Sequence, residues 1–517
     1  MPNGDVNSPE SERRPVRRRG RRTRGELGTA AGLGLLATLG ALLQLFWGRD
    51  IGLADNGDGF RLMCHFRLLK SVDAIASPLV LLYDPQPFGC LPHLAYFSSQ
   101  EWLVRPALWA YRLRYGAHSG FDLRALGLVH SAVFGLLLAA LYLALPGSRR
   151  ARAVTTLLAG ALLADVTFVT YFVSPFSEPA AFLGLLALVA ATAWYVRTGR
   201  SPLPALLAVV AATAFLVLAK TQTFVFAVLV SPVLLSRTVD VGPLRGTWKG
   251  RAVPATAGAV LLVIAGANVV GQPPFYTEVN KHNLMFQTLL VDSPDPESTL
   301  RELGAPTGLL RYRGTGYFAV EKAAKEQDAE YRQFQRVVDR RDLLTYLAAH
   351  PRHWGPLLRA GAEAVSQLRT PYLSNYTDPR SADELLAPRP NPTERLLGGL
   401  GRAGWPLLPL LWVVALVVGA VLLFRRSSGP RGRALGAVCY LLAGTALSQV
   451  LVALVGDGYY ELVKHTVLAG YATALLAAVT AGALVAVVWP DAGSKPWWVV
   501  IRRRRAGAAA LGGGEGS

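Results

Sequence analysis

The sequence is short of cysteine and of charge, and each shortage removes a class of protein. Only three cysteines occur in 517 residues. They form neither a Cys-x-x-Cys pair nor a metal-ligand spacing, which argues against a zinc or thiol redox centre. Charged residues make up 17% of the chain against 52% hydrophobic, with a mean hydropathy of +0.31, too apolar a balance for a soluble enzyme of this size. The chain has no Walker loop and no dinucleotide-binding glycine fingerprint, so no motif for a soluble nucleotide is present. It has no repeat of solenoid type either. Acidic residues are the scarcer sign, 34 against 53 Lys and Arg, for a formal charge of +19. That excess is not a nucleic-acid signal, because the arginines fall in short clusters between apolar runs rather than on one basic domain.

What is abundant is apolar sequence in runs near the ~20 residues that cross a bilayer. The first run, Gly28 to Trp47, follows a basic stretch from Arg13 to Arg24 and is longer than a signal-peptide core. It is expected to be an uncleaved anchor entering from the cytoplasm. Further runs are Leu126 to Leu145, Ala153 to Tyr171, Ala180 to Val196, Leu203 to Leu218, Phe224 to Leu235 and Val253 to Val270. Three more follow a long polar interval: Trp405 to Phe424, Leu435 to Val455 and Val467 to Val488. Together they predict an all-α polytopic membrane protein of about ten transmembrane helices, several of them short.

Basic residues fix the expected orientation. Arg149, Arg150 and Arg152, then Arg197 and Arg200, then Arg237, Arg245 and Arg251, then Arg425, Arg431 and Arg433 mark alternate loops as cytoplasmic. Arg502 to Arg505 mark the C-terminus in the same way. The resulting plan has a basic cytoplasmic tail over 1–27 and a membrane module over 28–270 with a long outer loop at 48–121. A mainly helical extracytoplasmic region at 271–402, membrane helices over 403–488 and a cytoplasmic tail over 489–517 complete it. Both termini are then inside a multi-pass protein of the cytoplasmic membrane. Aromatics and prolines in the outer loop, such as Trp102, Trp109 and Tyr111, suit interfacial helices. Cys64 and Cys90 fall in this loop, where a disulfide can persist, and sequence leaves open whether their sulfurs meet.

Four polar clusters lie on the outer side of this plan. Ala54-Asp55-Asn56-Gly57-Asp58-Gly59 follows the first helix. Its two carboxylates on a Gly-flanked turn can supply a general base or ligands to a hard cation, or form an Asx turn. Ser174 to Pro179 carries Glu178 at the lip of a span, suited to catalysis or simply to the helix dipole. Lys220-Thr221-Gln222 joins two apolar runs in a loop too short to leave the interface, where Lys220 is either functional or snorkelling. Gly456-Asp457-Gly458 with Glu461, Lys464 and His465 precedes the last run. A cationic pair at a helix N-terminus opposes the dipole and calls for an anionic partner, a role a phosphate fills. Asp165 lies inside an apolar run, as a functional acid or a helix cap. His350, His353 and Trp354 are weaker candidates, since His-x-x-His alone is a poor metal signal.

Acids able to activate a hydroxyl and cations able to hold a phosphate, on one membrane face, resemble the GT-C superfamily of membrane glycosyltransferases. The clusters above, with Asn280-Lys281-His282-Asn283 and Asp292 to Pro296, look like the bacterial hexose transferases of surface (S-layer-type) glycan biosynthesis. The resemblance runs over nearly the whole chain. It implies a polyprenyl-phosphate-linked sugar donor, a glycan acceptor, the lipid bilayer as surroundings and inversion at the anomeric carbon. It assigns Asp55 or Asp58 as acceptor base or as ligand to a divalent cation (Mg or Mn), without requiring a metal. It assigns Glu178, Lys220, Gln222, Asp457, Lys464 and His465 to the substrate, the cations to the donor phosphate. A transporter or flippase for a lipid-linked glycan is the alternative, and it requires polar residues near the midplane and matching halves.

Overall fold

The computed structural model describes residues 23–70, 78–91, 97–198, 203–239, 249–370, 372–378, 384–425 and 427–488. The basic N-terminal stretch up to residue 22, Arg200, Arg245 and Arg502 to Arg505 lie outside the described residues. Among the described residues seven helices are long and apolar enough to cross a membrane: Arg24–Phe46, Leu123–Ala144, Glu178–Arg197, Gly250–Val270, Leu407–Phe424, Pro430–Gly456 and Leu462–Val488. An eighth, Arg149–Leu163 with Val166–Val173, is bent by 62°. Two shorter apolar helices, Leu203–Val217 and Thr221–Leu235, form a hairpin. A fifteen-residue helix rises only about 22 Å, short of the ~30 Å hydrocarbon layer. Each of the ten apolar runs is therefore helical, seven of them long enough to cross a membrane as a single helix.

The bend has an identifiable cause. Asp165 stands at the break, its Oδ1 accepting the N–H of Thr167 at 2.8 Å. Its Oδ2 accepts the N–H groups of Thr393 at 2.7 Å and Glu394 at 3.3 Å. One carboxylate thus caps two helix starts, its own and that of Pro392–Arg402, satisfying donors no intrahelical partner reaches. Of the two readings of this intramembrane acid, the structure shows the cap.

Small residues bring the first spans together. Arg24–Phe46 starts on the Thr23 cap and buries Ala30, Gly34, Ala37, Ala41 and Leu45, a stripe at helical spacing. Gly34 meets Gly135 of Leu123–Ala144 so closely that a Cβ on Gly34 would lie 2.6 Å from the Gly135 carbonyl. Thr38 Oγ1 donates to the Ser131 carbonyl at 3.2 Å across the same contact. Apolar side chains gain little by leaving lipid for each other, so close backbone approach carries such interfaces. Gly135→Leu should separate the two helices and cost about 1–3 kcal/mol or more. The check is a lower melting temperature in detergent and a loss of monodispersity relative to wild type.

The long loop after the first span holds the one sheet among the described residues. β1 (Leu68–Lys70), β2 (Leu82–Pro85) and β3 (Phe121–Asp122) pair antiparallel in that order. The helix Glu101–Tyr115 in the same loop exposes Trp102, Trp109 and Leu113. A disulfide joins Cys64 to Cys90, which answers the question the sequence left open. Beyond residue 271 the chain is again helical and packs its own aromatic cluster of His282, Phe286, Tyr312, Tyr331 and Phe334. His350 turns to Glu302 at 3.3 Å and to the Tyr346 carbonyl at 2.9 Å, away from the ionic centre described next.

Candidate functional site

The site begins where the first helix ends. The chain leaves it extended and buried, with Leu53 donating to the Val173 carbonyl at 3.1 Å and Ala54 to Ser374 at 2.9 Å. The Asn375 amide fastens the same strand, Nδ2 donating to the Gly52 carbonyl at 2.7 Å and Oδ1 accepting the Ala387 N–H at 3.1 Å. Asp55 then folds the turn on itself. Its Oδ1 accepts the N–H groups of Gly57 at 2.8 Å and Gly59 at 2.9 Å, and its Oδ2 accepts the Tyr83 hydroxyl at 3.0 Å. Gly57 has φ of +104°, a conformation that favours glycine. Gly59 lies against Pro175 and Asp55, leaving no room for a side chain. The two carboxylates of the motif therefore face opposite ways: Asp55 is buried in the turn and Asp58 projects from it.

The last span supplies the opposite wall. Asp457 ends Pro430–Gly456, and Gly458, at φ +64°, packs on Thr288. Glu461, also at positive φ, leads into Leu462–Val488. Lys464, with only 1% of its side chain exposed, ion-pairs with Asp58 and lies 3.2 Å from Glu461 Oε2. Its ammonium stands 4.6 Å over the Phe176 ring. Asn56 closes this group by donating to Glu461 Oε1 at 2.7 Å. The anionic partners that a cation at a helix N-terminus calls for are thus carboxylates of the protein itself.

A second chain of contacts runs alongside. Lys220 Nζ is 2.8 Å from Glu178 Oε1 and 3.5 Å from His465 Nδ1. His465 Nε2 is 3.2 Å from Asp457 Oδ2, whose Oδ1 accepts Asn283 Nδ2 at 2.6 Å. The imidazole tautomer protonated on Nε2 makes both bonds together, donating to Asp457 and accepting from Lys220. Gln222 ties the hairpin to this group by donating to the His465 carbonyl at 2.7 Å. Asn283 opens a π-helical turn at 283–289, an irregularity common at functional sites.

Between the two chains lies a small cleft lined by Asp58, Arg61, Ser98, Ser177, Glu178 and Lys220, with Leu62, Pro175 and Phe176 as its apolar wall. Arg61 bonds Asp58 at 3.0 Å and stacks on Tyr276 at 4.0 Å. Burial raises the Asp58 carboxyl, but Arg61 and Lys464 overcome it and hold the group well below the usual carboxylate range. The arrangement offers two carboxylates and two cations around one opening, which is the equipment for moving a proton while holding an anion.

The structure thus joins Asp58, Glu178, Lys220, Gln222, Asp457, Lys464 and His465, with Asp55 behind the turn. Arg61, Glu461 and Asn283 belong to the same network although sequence reasoning gave them no role. The i,i+3 spacings Asp58–Arg61 and Glu461–Lys464 carry that signal for two of them. Both Asp55 oxygens already accept donors and Asp58 is flanked by cations, so this donor set does not suit a divalent metal. The one cluster with metal-ligand proximity among the described residues is Cys64, His65 and Cys90. Its sulfurs are joined to each other.

No curated protein matches the chain. Among solved structures it is similar to the oligosaccharyltransferase AglB of Archaeoglobus fulgidus in complex with an inhibitory peptide and a dolichol-phosphate. That match has 14% identity over 93% of this chain and 54% of that one, with a TM-score of 0.39. The apo form of the Archaeoglobus fulgidus oligosaccharyltransferase aligns with 14% identity over 92% of this chain and 54% of that one, also at 0.39. The chain spans about half the length of these structures. A family model described as the YfdI N-terminal transmembrane domain matches residues 25–495, a segment that takes in every span and both halves of the ionic network. The chain therefore belongs to the YfdI N-terminal transmembrane domain family, and it is a multi-pass membrane protein.

Proposed function

We propose that this protein is a GT-C-type membrane glycosyltransferase that moves a sugar, a hexose in our reading, from a polyprenyl-phosphate donor to a cell-surface glycan. The observation that carries the proposal is the cleft where Asp58 and Glu178 face Arg61 and Lys220 at one end of the helical bundle. In this reading the acceptor hydroxyl attacks the anomeric carbon, the bond from that carbon to the phosphate oxygen breaks, and polyprenyl phosphate leaves with inversion. Arg61 and Lys220 oppose the charge growing on the departing phosphate, and a phosphate that engages Arg61 loosens that cation's hold on Asp58, which lies on the acceptor side and then receives the hydroxyl proton. Because Lys220 is paired with Glu178 at 2.8 Å, a phosphate that engages Lys220 releases Glu178 as a second carboxylate in the cleft. Lys464 and the Asp457–His465 pair hold the two ion chains in register. No step passes through a metal.

We place the cleft on the extracytoplasmic face of the cytoplasmic membrane, with both termini inside. The disulfide in the same loop supports this side, since such bonds persist in oxidising compartments. A transporter is less well supported. The broken span is the feature that would suit one, but the carboxylate at its break caps helices and is not among the cleft residues.

The test uses the purified full chain in vesicles supplied with polyprenyl-phosphate hexose and a panel of surface glycans. Glycan extension with stoichiometric release of polyprenyl phosphate is the expected result. Movement of the donor between leaflets with neither product would replace this reading by the flippase.

A further inference from the structure

We infer that the donor's lipid chain leaves the cleft beside Lys220 through an aromatic gate of Phe97, Trp102 and Phe215, and lies along the outer face of the Leu203–Val217 helix. This rests on the proposed polyprenyl-phosphate donor and adds where its apolar part is bound.

Ser98 links the gate to the ionic centre. It lines the cleft with Lys220, and its hydroxyl donates to the Ala219 carbonyl at 2.6 Å. Ser99 fastens the same segment to the end of the short helix, its N–H donating to the Leu218 carbonyl at 2.9 Å and its hydroxyl to Phe215 at 2.7 Å. The flanking rings are thereby fixed: Trp102 sits 5.9 Å from Phe97 and 5.8 Å from Phe215 between ring centres. Phe97 is 41% and Trp102 50% exposed, a large apolar surface to leave uncovered beside a charged opening.

The level is right for a lipid phosphate. Asn268 Nδ2 donates to the Val217 carbonyl at 2.9 Å, and Asn268 is near the end of the Gly250–Val270 span. Val217, and Lys220 just beyond it, therefore stand where an apolar span stops, the depth of the headgroup region. Below the gate, Leu207, Ala211 and Phe215 recur at four-residue spacing, with Leu207 and Ala211 exposed. Residues so spaced share one helix face, and the alanine between two larger side chains makes that face a shallow furrow. A chain whose phosphate rests at Lys220 has a continuous apolar path from the rings into the bilayer.

The experiment compares two donors carrying the same hexose, one on a long polyprenyl phosphate and one on a short, water-soluble chain, with wild type, Trp102→Ala and Trp109→Ala. Trp109 is exposed on the same helix but takes no part in the gate. Wild type should favour the long chain. Trp102→Ala should shrink the ratio of the two KM values about tenfold, as loss of one buried ring implies, while Trp109→Ala keeps it. An unchanged ratio in Trp102→Ala, or an equal change in Trp109→Ala, overturns the gate and leaves these rings as interfacial anchors. If wild type transfers from neither donor, the proposed reaction fails instead. Direct binding of sugar-free long and short polyprenyl phosphates to wild type and Trp102→Ala then decides the gate alone, by the same loss of chain-length preference.

Discussion

Asp58→Asn is expected to lower glycosyl transfer by about a hundredfold to ten-thousandfold, the range for loss of a general base. The substitution keeps the side chain's size, and Glu461 still accepts from Lys464 at 3.2 Å, so the fold should survive. The check is transfer from a polyprenyl-phosphate hexose at saturating donor, beside a melting curve. A loss of rate with an intact melting transition supports the assignment; wild-type rate overturns it. The same variant carries a pH signature. The folded-state Asp58 carboxyl is held below its unfolded value, so the stability it contributes is fully present above about pH 4 and is lost as the pH falls from there toward the folded value. Wild type should therefore lose melting temperature on acidification below about pH 4 more steeply than Asp58→Asn does.

Lys464→Met should be the most damaging single change to the fold at this end of the bundle. Methionine fills the space of the lysine stem beside Phe176, but the ammonium that separates Asp58 from Glu461 is gone. Two carboxylates then share a largely dry site with Arg61 and Asn56 as remaining partners. Removing one member of a buried ion pair typically costs about 3–5 kcal/mol, because the group left behind pays its desolvation without compensation. The expected result is a melting temperature lowered by several degrees, with transfer abolished. Pairing Lys464→Met with Asp58→Asn should restore part of the stability, since one of the opposed charges is removed with the cation. Failure of that rescue would mean that repulsion between Asp58 and Glu461 is not what Lys464 relieves.

The sequence made the helices and their approximate ends legible, because a run of apolar residues near membrane length has few other uses. It also pointed to seven polar residues that the structure joins, from Asp58 to His465. What it did not separate was Asp55 from Asp58. Two carboxylates three apart on a glycine-flanked turn look alike as text, and only their partners tell them apart: Asp55 holds the turn's own N–H groups and the Tyr83 hydroxyl carried in by β2, while Asp58 holds Arg61 and Lys464. Arg61 escaped notice and Glu461, though counted in its cluster, received no role, because each reads as an ordinary helix-end charge until its partner is placed beside it. Asn283, named only within the resemblance, received no role because nothing in its neighbourhood announces a bond to Asp457, 174 positions away. Asp165 was ambiguous for a similar reason: its second cap lies 228 positions along the chain.

About ten apolar helices, basic residues gathered in alternate loops and a set of polar clusters followed from the sequence by itself, since hydropathy and charge are local properties of the chain. Which carboxylate faces the cleft and which cations are already paired were decided by the tertiary structure alone. Those are properties of distance between segments, and an ion pair only a few ångströms long joining Asp58 to Lys464 across 406 positions exists only once the bundle has closed.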